Sequence, residues 1–234
     1  MNEKAPNSNK VKFGFFDYYS MYKKHGVKLP VRYFTENHLF DLVNGTSTHV
    51  WKPKVHAENI HNSYEYGSLY MSSWTSIIKN STKIALLELH QMERPIRLVD
   101  IGCGKGKVMC VWQVMRLEQN RHKFFGFDYD SDLLAIAKKN LTKLNCGNFE
   151  CYFEDALNIQ RENTLIGDLY YLYNPFDSNV VKHLFAKLRR RKNIVIYNNP
   201  VHSEVLHQMG YIGIHSQNSW HPNGRFTIFK SQKM

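Results

Sequence analysis

The chain has 234 residues, 43% of them hydrophobic and 22% charged, so it is long enough to bury a core of its own. No apolar run approaches the roughly 20 residues that a membrane span requires, and we expect neither such a span nor a secretory signal. The formal net charge of +11 favours a polyanionic partner, such as nucleic acid or an acidic saccharide, but the basic residues are dispersed along the chain.

The first 95 residues differ in composition from the rest. Residues 1–12 are polar and rich in Asn, Lys, Pro and Ser, and we expect a disordered tail. From Phe13 onward the chain is dense in aromatic residues at helical spacing, and a helix is expected to end at about Leu89. The pattern predicts a mainly helical N-terminal cap over residues 13–95, with one face closing the pocket of the domain that follows.

The most informative segment comes next, at Leu98–Lys107. It predicts a buried strand that ends in an acid, a glycine-rich turn, and a helix from Lys107 to about Asn120. Glycines allow positive φ and let a ligand approach the bare backbone, and a helix N-terminus adds partial positive charge. The spacing is not the dinucleotide pattern G-x-G-x-x-G, because Lys107 stands where the third glycine is needed. An acid at the strand's end would repel a pyrophosphate and suits a ligand with an ammonium group.

This segment resembles the first motif of class I S-adenosylmethionine-dependent methyltransferases. The resemblance implies S-adenosyl-L-methionine as the cofactor, with its methionine part held by the acid and the loop backbone. The cofactor-binding residues that it indicates here are Asp100, Gly102, Cys103, Gly104 and Gly106. A turn that only connects a strand to a helix, without a ligand, is the alternative that this motif alone leaves open.

A second predicted strand ends at Asp128, about 20 residues beyond the glycines. At that distance in a βαβ unit, a carboxylate reaches the ribose hydroxyls of a nucleoside ligand. Shortly after it, Ser131-Asp132 is typical of an N-terminal cap, and we expect a helix over Leu133–Asn145.

Two further acids follow the third predicted strand, Phe149–Phe153. The resemblance implies that an acid directly after this strand accepts a hydrogen bond from the adenine amino group. Asp155 is the first choice for that role, and Glu154 is the second.

The fourth predicted strand, Asp168–Tyr173, runs into Asn174-Pro175-Phe176. These residues are similar to the Asn/Asp-Pro-Pro-aromatic motif of amine-methylating families, but the second proline is missing. The resemblance implies that Asn174 and Pro175 steer the acceptor and that Phe176 shields it from water. Because Asn-Pro also opens turns, a purely structural turn stays open as an alternative.

The remaining elements complete the expected fold. A helix from about Ser178 to Arg190, a fifth strand over Asn193–Tyr197, and two strands over Tyr211–Ser219 and Arg225–Lys230 follow in order, and Asn223-Gly224 favours a hairpin turn between the last two. The fold class is therefore α/β: a doubly wound, mostly parallel seven-stranded sheet with a C-terminal antiparallel hairpin and an N-terminal helical extension. The resemblance covers the cofactor-binding methyltransferase domain, residues 96–234.

No metal site is expected. The four cysteines form no C-x-x-C pair, and the histidine spacings place no two ligands on one helix face. Reduced cysteines favour a cytoplasmic protein. A hydroxyl acceptor would require a general base, and His202, His215 and His221 lie in the C-terminal third of the chain.

Three functional hypotheses follow. The first is an S-adenosylmethionine-dependent methyltransferase that acts on an oxygen or nitrogen of a small molecule or of a surface-polysaccharide-type substrate. The second is an N-methyltransferase that acts on protein or RNA, which the basic charge favours. The third is a cofactor-binding module without catalytic activity. The sequence leaves the oligomeric state and the acceptor atom open.

Overall fold

The structure is a computed structural model of the chain, and it describes residues 15–49, 72–156, 166–173, 176–188 and 191–232. The tail predicted over residues 1–12 lies outside these ranges. Within the described residues, seven strands form one sheet. The strands are β1 (Arg97–Ile101), β2 (Lys123–Asp128), β3 (Phe149–Phe153), β4 (Leu169–Tyr173), β5 (Ile194–Asn198), β6 (Tyr211–Gln217) and β7 (Phe226–Ser231).

Helices flank this sheet and also precede it in the chain. The α-helices are α1 (Phe15–His25), α2 (Lys28–Tyr33), α3 (Leu39–Asn44), α4 (Thr75–Glu88), α5 (Lys107–Val114), α6 (Ser131–Lys143), α7 (Ser178–Leu188) and α8 (Ser203–Gln208). A π-helical turn, Phe34–His38, joins α2 to α3, so that α2, the turn and α3 run on without a break.

The strand order is β3-β2-β1-β4-β5-β7-β6. Strands β1 to β5 pair in parallel, whereas β7 pairs antiparallel with both β5 and β6. This arrangement confirms the predicted doubly wound sheet with a C-terminal hairpin. The chain builds outward from β1 in one direction and then from β4 in the other, and open α/β sheets bind ligands at such a switch point.

Two hydrophobic clusters cover the two faces of the sheet. One contains Trp112, Ile78 and Leu98, and the other contains Val99 and Phe185, all of them fully buried. Neighbouring residues of β1 thus point into different clusters, because successive side chains of a strand face opposite sides. With both faces covered, the central strands are continuously apolar, which explains why the sequence pattern located them well.

Two helix boundaries differ from the sequence prediction. The helix expected to continue from Lys107 to about Asn120 ends at Val114, because Arg116 has a φ of +59° and a left-handed residue cannot continue an α-helix. The next residue, Leu117, is buried in the core and begins a short 3₁₀ helix. Helix α6 begins at Ser131 and is capped by Asp130, one residue before the expected cap.

The hairpin exists, but its turn differs from the expected one. Pro222–Gly224 form a 3₁₀ turn, and Asn223 is buried instead of lying at an exposed tip. The Asn223 side chain accepts a hydrogen bond from the Tyr173 hydroxyl, and its main-chain carbonyl accepts one from the Asn198 side chain. These long-range contacts determine the turn, and the two-residue pattern does not contain them.

Candidate active site at the carboxyl edge of the sheet

Three of the sequence-predicted acids lie at, or just beyond, the carboxyl ends of adjacent strands. Asp100 lies near the end of β1, Asp128 is the last residue of β2, and Asp155 comes two residues after β3. Because these strands are parallel neighbours, their carboxyl ends lie at the same edge of the sheet. The fold therefore brings to one edge the carboxylates that the sequence indicated one strand at a time.

The glycine turn adopts the conformation that its sequence predicts. Gly102, Gly104 and Gly106 all have positive φ, between +50° and +77°. At Gly106 an added Cβ would also lie 3.0 Å from the Cβ of Ala137 on α6, so a side chain there would strain the backbone and crowd that helix. The amide of Cys103 donates to the carbonyl of Phe127, and this bond anchors the turn to the end of β2.

Asp100 is the most unusual group at this edge. Its side chain is 3% exposed, and its Oδ2 atom is buried without a hydrogen-bond partner among the described residues. Burial, together with the nearby charge of Asp128, holds the pKa of this carboxyl well above its ordinary value. A buried carboxylate without a partner is costly, and a cationic ligand would supply the missing donor. The Asp100 carboxyl is therefore suited to accept a hydrogen bond from a ligand that carries an ammonium group.

Asp128 is held by main-chain amides. Its Oδ2 accepts from the amide of Gly104 at 2.7 Å, and its Oδ1 accepts from the amide of Asp130 at 2.9 Å. Burial raises its pKa to about 6, although these hydrogen bonds act in the opposite direction. The carboxylate thus joins the glycine turn to the segment that begins α6.

Glu154 and Asp155 are half-buried beyond the end of β3. The amide of Glu154 donates to the carbonyl of Asp128 at 3.1 Å, which places the start of this loop beside the end of β2. Their expected contact with an adenine ring remains a prediction.

The predicted acceptor motif is only partly visible. Asn174 and Pro175 lie outside the described residues. Phe176 is buried and packs in the second hydrophobic cluster together with Val180 and Val181. This position makes Phe176 part of the core near the sheet edge, and its expected role in shielding an acceptor stays a prediction.

The N-terminal helices contact the glycine turn through Lys107, the first residue of α5. Its side chain is buried, its Nζ donates to the carbonyl of Glu36 at 3.3 Å, and it lies 3.6 Å from the centre of the Phe40 ring. Burial lowers the pKa of this lysine to about 7, although Asp41 and Glu36 act in the opposite direction. The Glu36 carboxylate in turn accepts from the amide and the hydroxyl of Ser76.

A second polar group beside this contact was missed by the sequence analysis. Asp41 accepts hydrogen bonds from Thr46, from Thr48 and from both the amide and the Nδ1 of His49. Burial opposes the charge of Asp41, but these bonds outweigh it and lower the pKa of the carboxyl. No local pattern marks an Asp–His pair eight residues apart, since only the turn at Gly45 brings the loop back to α3.

The three histidines considered as bases occupy other places. His215 is exposed on β6, the edge strand, and stacks on Phe226. His221 stacks on Trp74, and His202 precedes α8. No group of three or more His, Cys, Asp or Glu side chains in the described part of the chain could hold a metal ion.

A comparison with known protein families finds a match. A family model described as a methyltransferase domain matches residues 93–228, more than half of the chain. The chain belongs to this family. No curated protein matches the sequence. Among the described residues, no helix is long and apolar enough to cross a membrane.

Solved structures are similar to this chain at low sequence identity. A carbon methyltransferase, CurJ, aligns with a TM-score of 0.52 and 12% identity over 65% of this chain and 53% of its own. TrmN from Thermus thermophilus aligns with a TM-score of 0.51 and 14% identity over 68% and 49%, respectively. A precorrin-6y C5,15-methyltransferase from Geobacter metallireducens GS-15 has a TM-score of 0.46 and 13% identity over 64% and 86%. This chain thus spans about half the length of the first two.

Proposed function

We propose that this methyltransferase-family chain transfers a methyl group from S-adenosyl-L-methionine to an oxygen or nitrogen atom of a small-molecule or saccharide-type acceptor. The observation that carries the proposal is the buried Oδ2 of Asp100, which has no hydrogen-bond partner among the described residues and stands beside a turn of three positive-φ glycines. The α-ammonium of the cofactor supplies the donor that this oxygen needs.

The other acids divide the rest of the cofactor between them. Asp128 binds the ribose hydroxyls, since a carboxylate accepts from two hydroxyls at once. Asp155, or Glu154 in its place, accepts from the adenine amino group. Gly102, Cys103, Gly104 and Gly106 present main chain to the methionine part, because positive φ favours glycine at three of these positions and glycine has no side chain.

The chain's own task is mainly one of alignment. When bound, the cofactor supplies a methyl group already activated on a sulfonium, so the protein has to position the acceptor and exclude water. We assign the acceptor position to Asn174 and Pro175, which follow β4 next to β1, and the exclusion of water to Phe176. Residues 96–234 form the cofactor-binding domain in this proposal, and residues 13–95 are the cap over it.

Calorimetry tests the cofactor assignment. S-adenosylhomocysteine, the demethylated product, should bind the purified chain, and Asp128→Ala should weaken that binding by at least about tenfold, because two hydrogen bonds to a charged acceptor are lost. The matched control is Asp132→Ala, which removes an exposed carboxylate from the first turn of α6. Equal affinity in wild type and Asp128→Ala, or tight binding of a nicotinamide dinucleotide instead, would refute the proposal.

A further inference from the structure

The loop after α3 is tied to the glycine turn. The amide of Ser47 donates to Oδ1 of Asn140 on α6 at 3.0 Å, and Nδ2 of the same asparagine donates to the carbonyl of Lys105 at 3.0 Å. Asn140 is 2% exposed, so this bridge is a buried contact between the loop and the glycine turn. Residues 45–49 therefore have a fixed position beside the turn.

The same loop is also tied toward the end of β4. The Tyr33 hydroxyl donates to the carbonyl of His49 at 3.4 Å. Tyr33 lies close enough to Tyr173, the last residue of β4, to contribute to its raised pKa, of which burial is the larger cause. The loop that carries His49 is thus bonded on one side to the glycine turn that follows β1 and on the other side to Tyr33, which lies near the carboxyl end of β4. The switch point of the sheet is the crevice between these two strands.

The Asp41 carboxylate fixes the tautomer of His49. Nδ1 of His49 lies 2.5 Å from Oδ2 of Asp41, and the amide of His49 donates to the same oxygen at 3.0 Å. Because the lowered pKa keeps Asp41 ionised, the carboxylate can only accept, and Nδ1 must carry the proton. The lone pair of the imidazole is then on Nε2, and the ring remains 17% exposed.

His49 lies against one ring of an aromatic cluster that is centred on His38. The His38 ring lies 3.9 Å from that of His49, centre to centre, and burial together with His49 lowers the pKa of His38 to about 4, so it is neutral at physiological pH. Tyr18, Tyr33 and Phe34 lie within 6.0 Å of the His38 ring. A flat aromatic molecule packs well against such edge-on and stacked rings.

We infer that Nε2 of His49, oriented by Asp41, is the general base for methyl transfer to the hydroxyl of an aromatic ring, a phenol. This inference rests on the proposed function and names its acceptor class. The phenol oxygen forms its bond to the methyl carbon while the carbon–sulfur bond breaks and leaves its electron pair on sulfur. The hydroxyl proton ends on Nε2 of His49, and Asp41 stabilises the resulting imidazolium.

Two phenols of different acidity separate a base from a structural residue. At about pH 8, phenol keeps its proton and needs a base, whereas para-nitrophenol is already largely ionised. His49→Gln keeps a donor for Asp41 but has no basic nitrogen. We expect it to slow methyl transfer to phenol by about 10²- to 10⁴-fold and to leave transfer to para-nitrophenol nearly unchanged. His183→Ala, an exposed histidine on α7, is the control and should change neither rate.

A spectroscopic measurement tests the geometry without turnover. In the protein labelled with ¹⁵N-histidine, His49 should show the tautomer protonated on Nδ1, and Asp41→Asn should shift it toward protonation on Nε2. Thermal unfolding and S-adenosylhomocysteine affinity of His49→Gln should match the wild type, so a lost rate cannot be attributed to misfolding. An Nε2-protonated His49 in the wild-type protein overturns the inference.

The other possible results of these experiments also test the role of His49 and the acceptor class. Equal rates of wild type and His49→Gln on phenol, equal losses on both phenols, or a variant that fails to bind the product overturn the role of His49. Transfer to benzylamine but to neither phenol overturns the acceptor class and leaves the proposed function intact. A wild-type protein that binds S-adenosylhomocysteine but methylates none of these compounds likewise overturns the inference. A protein that does not bind S-adenosylhomocysteine refutes the proposed function itself.

Discussion

Asp100 and Asp128 show how burial changes the chemistry of an acid at the end of a strand. Both carboxyls are almost completely buried, and burial is the largest cause of the raised pKa of each. Asp128 accepts from the amides of Gly104 and Asp130, whereas one oxygen of Asp100 has no partner among the described residues. Asp100 is therefore the group whose protonation should respond most strongly to a cationic ligand.

Cofactor binding should release a proton from Asp100. Its raised pKa favours the protonated carboxyl in the absence of a ligand, whereas an adjacent ammonium favours the ionised form. The measurement is the calorimetric enthalpy of S-adenosylhomocysteine binding in buffers with different ionisation enthalpies. The enthalpy should vary between buffers for the wild type, with a slope of up to roughly one proton.

The Asp100→Asn variant provides the comparison. It has no proton to lose at this position, so its binding enthalpy should be nearly the same in every buffer. A wild-type enthalpy that does not depend on the buffer would mean that Asp100 does not bind the ammonium group.

At the scale of elements, caps and turns depend on single side chains. Helix α6 shows this clearly, because its first amides are satisfied by Asp130 and not by the Ser131-Asp132 pair that the sequence favoured. Both assignments satisfy the same residue preferences for a cap. The backbone decides between them: Asp130 is extended, with a φ of −101°, whereas Ser131 is already helical.

Removal of the cap should destabilise the chain. Asp130→Ala should lower the free energy of unfolding by about 1 kcal/mol, since two amides at the start of α6 lose their acceptor. Ser131→Ala is the matched neighbour, and it should change stability by a few tenths of a kcal/mol at most. Urea unfolding of the two variants compares them. A larger loss for Ser131→Ala than for Asp130→Ala would restore the cap predicted from the sequence.

At the scale of the whole molecule, the N-terminal helices are joined to the sheet domain by polar contacts as well as by Leu29 and Phe40, which belong to its hydrophobic core. Lys107 reaches the Glu36 carbonyl, Glu36 binds Ser76, and Asn140 bridges to Ser47. These contacts are buried or half-buried, so each orients the N-terminal part relative to the glycine turn. The position of this part therefore depends on a lysine whose charge burial disfavours.

The stability of the wild type should rise with pH relative to Lys107→Met. The folded pKa of this lysine is lowered to about 7, below its ordinary value of 10.5. Between these values the unfolded chain binds more protons, so the folded state gains stability as the pH rises. The gain should approach about 1.4 kcal/mol per pH unit and be absent below pH 7.

Denaturant unfolding of both proteins from pH 6 to pH 10 measures this difference. Methionine keeps most of the lysine's volume, so packing changes little and the pH dependence isolates the charge. A stability difference that does not vary with pH would mean that Lys107 is not buried against Glu36 and Phe40 in solution.

The sequence by itself determined the parallel strands, the glycine turn and the order of Asp100, Asp128 and Asp155. These features follow from local patterns: apolar runs bounded by turns, glycines that need positive φ, and acids at strand ends. The parallel topology then places the three acids at one edge, because each strand of a βαβ unit ends on the same side.

Only the tertiary structure decided which side chains meet across the fold. Three contacts join segments that are separate in the sequence. They are the Asp41–His49 pair, the bridge from Ser47 through Asn140 to Lys105, and the hydrogen bond from Tyr173 to the buried Asn223. Such contacts depend on the packing of whole elements against one another, and no window of sequence records it. The sequence therefore indicated the edge of the sheet at which we propose that the cofactor binds, and the packing of the N-terminal helices decided which side chains lie beside the glycine turn.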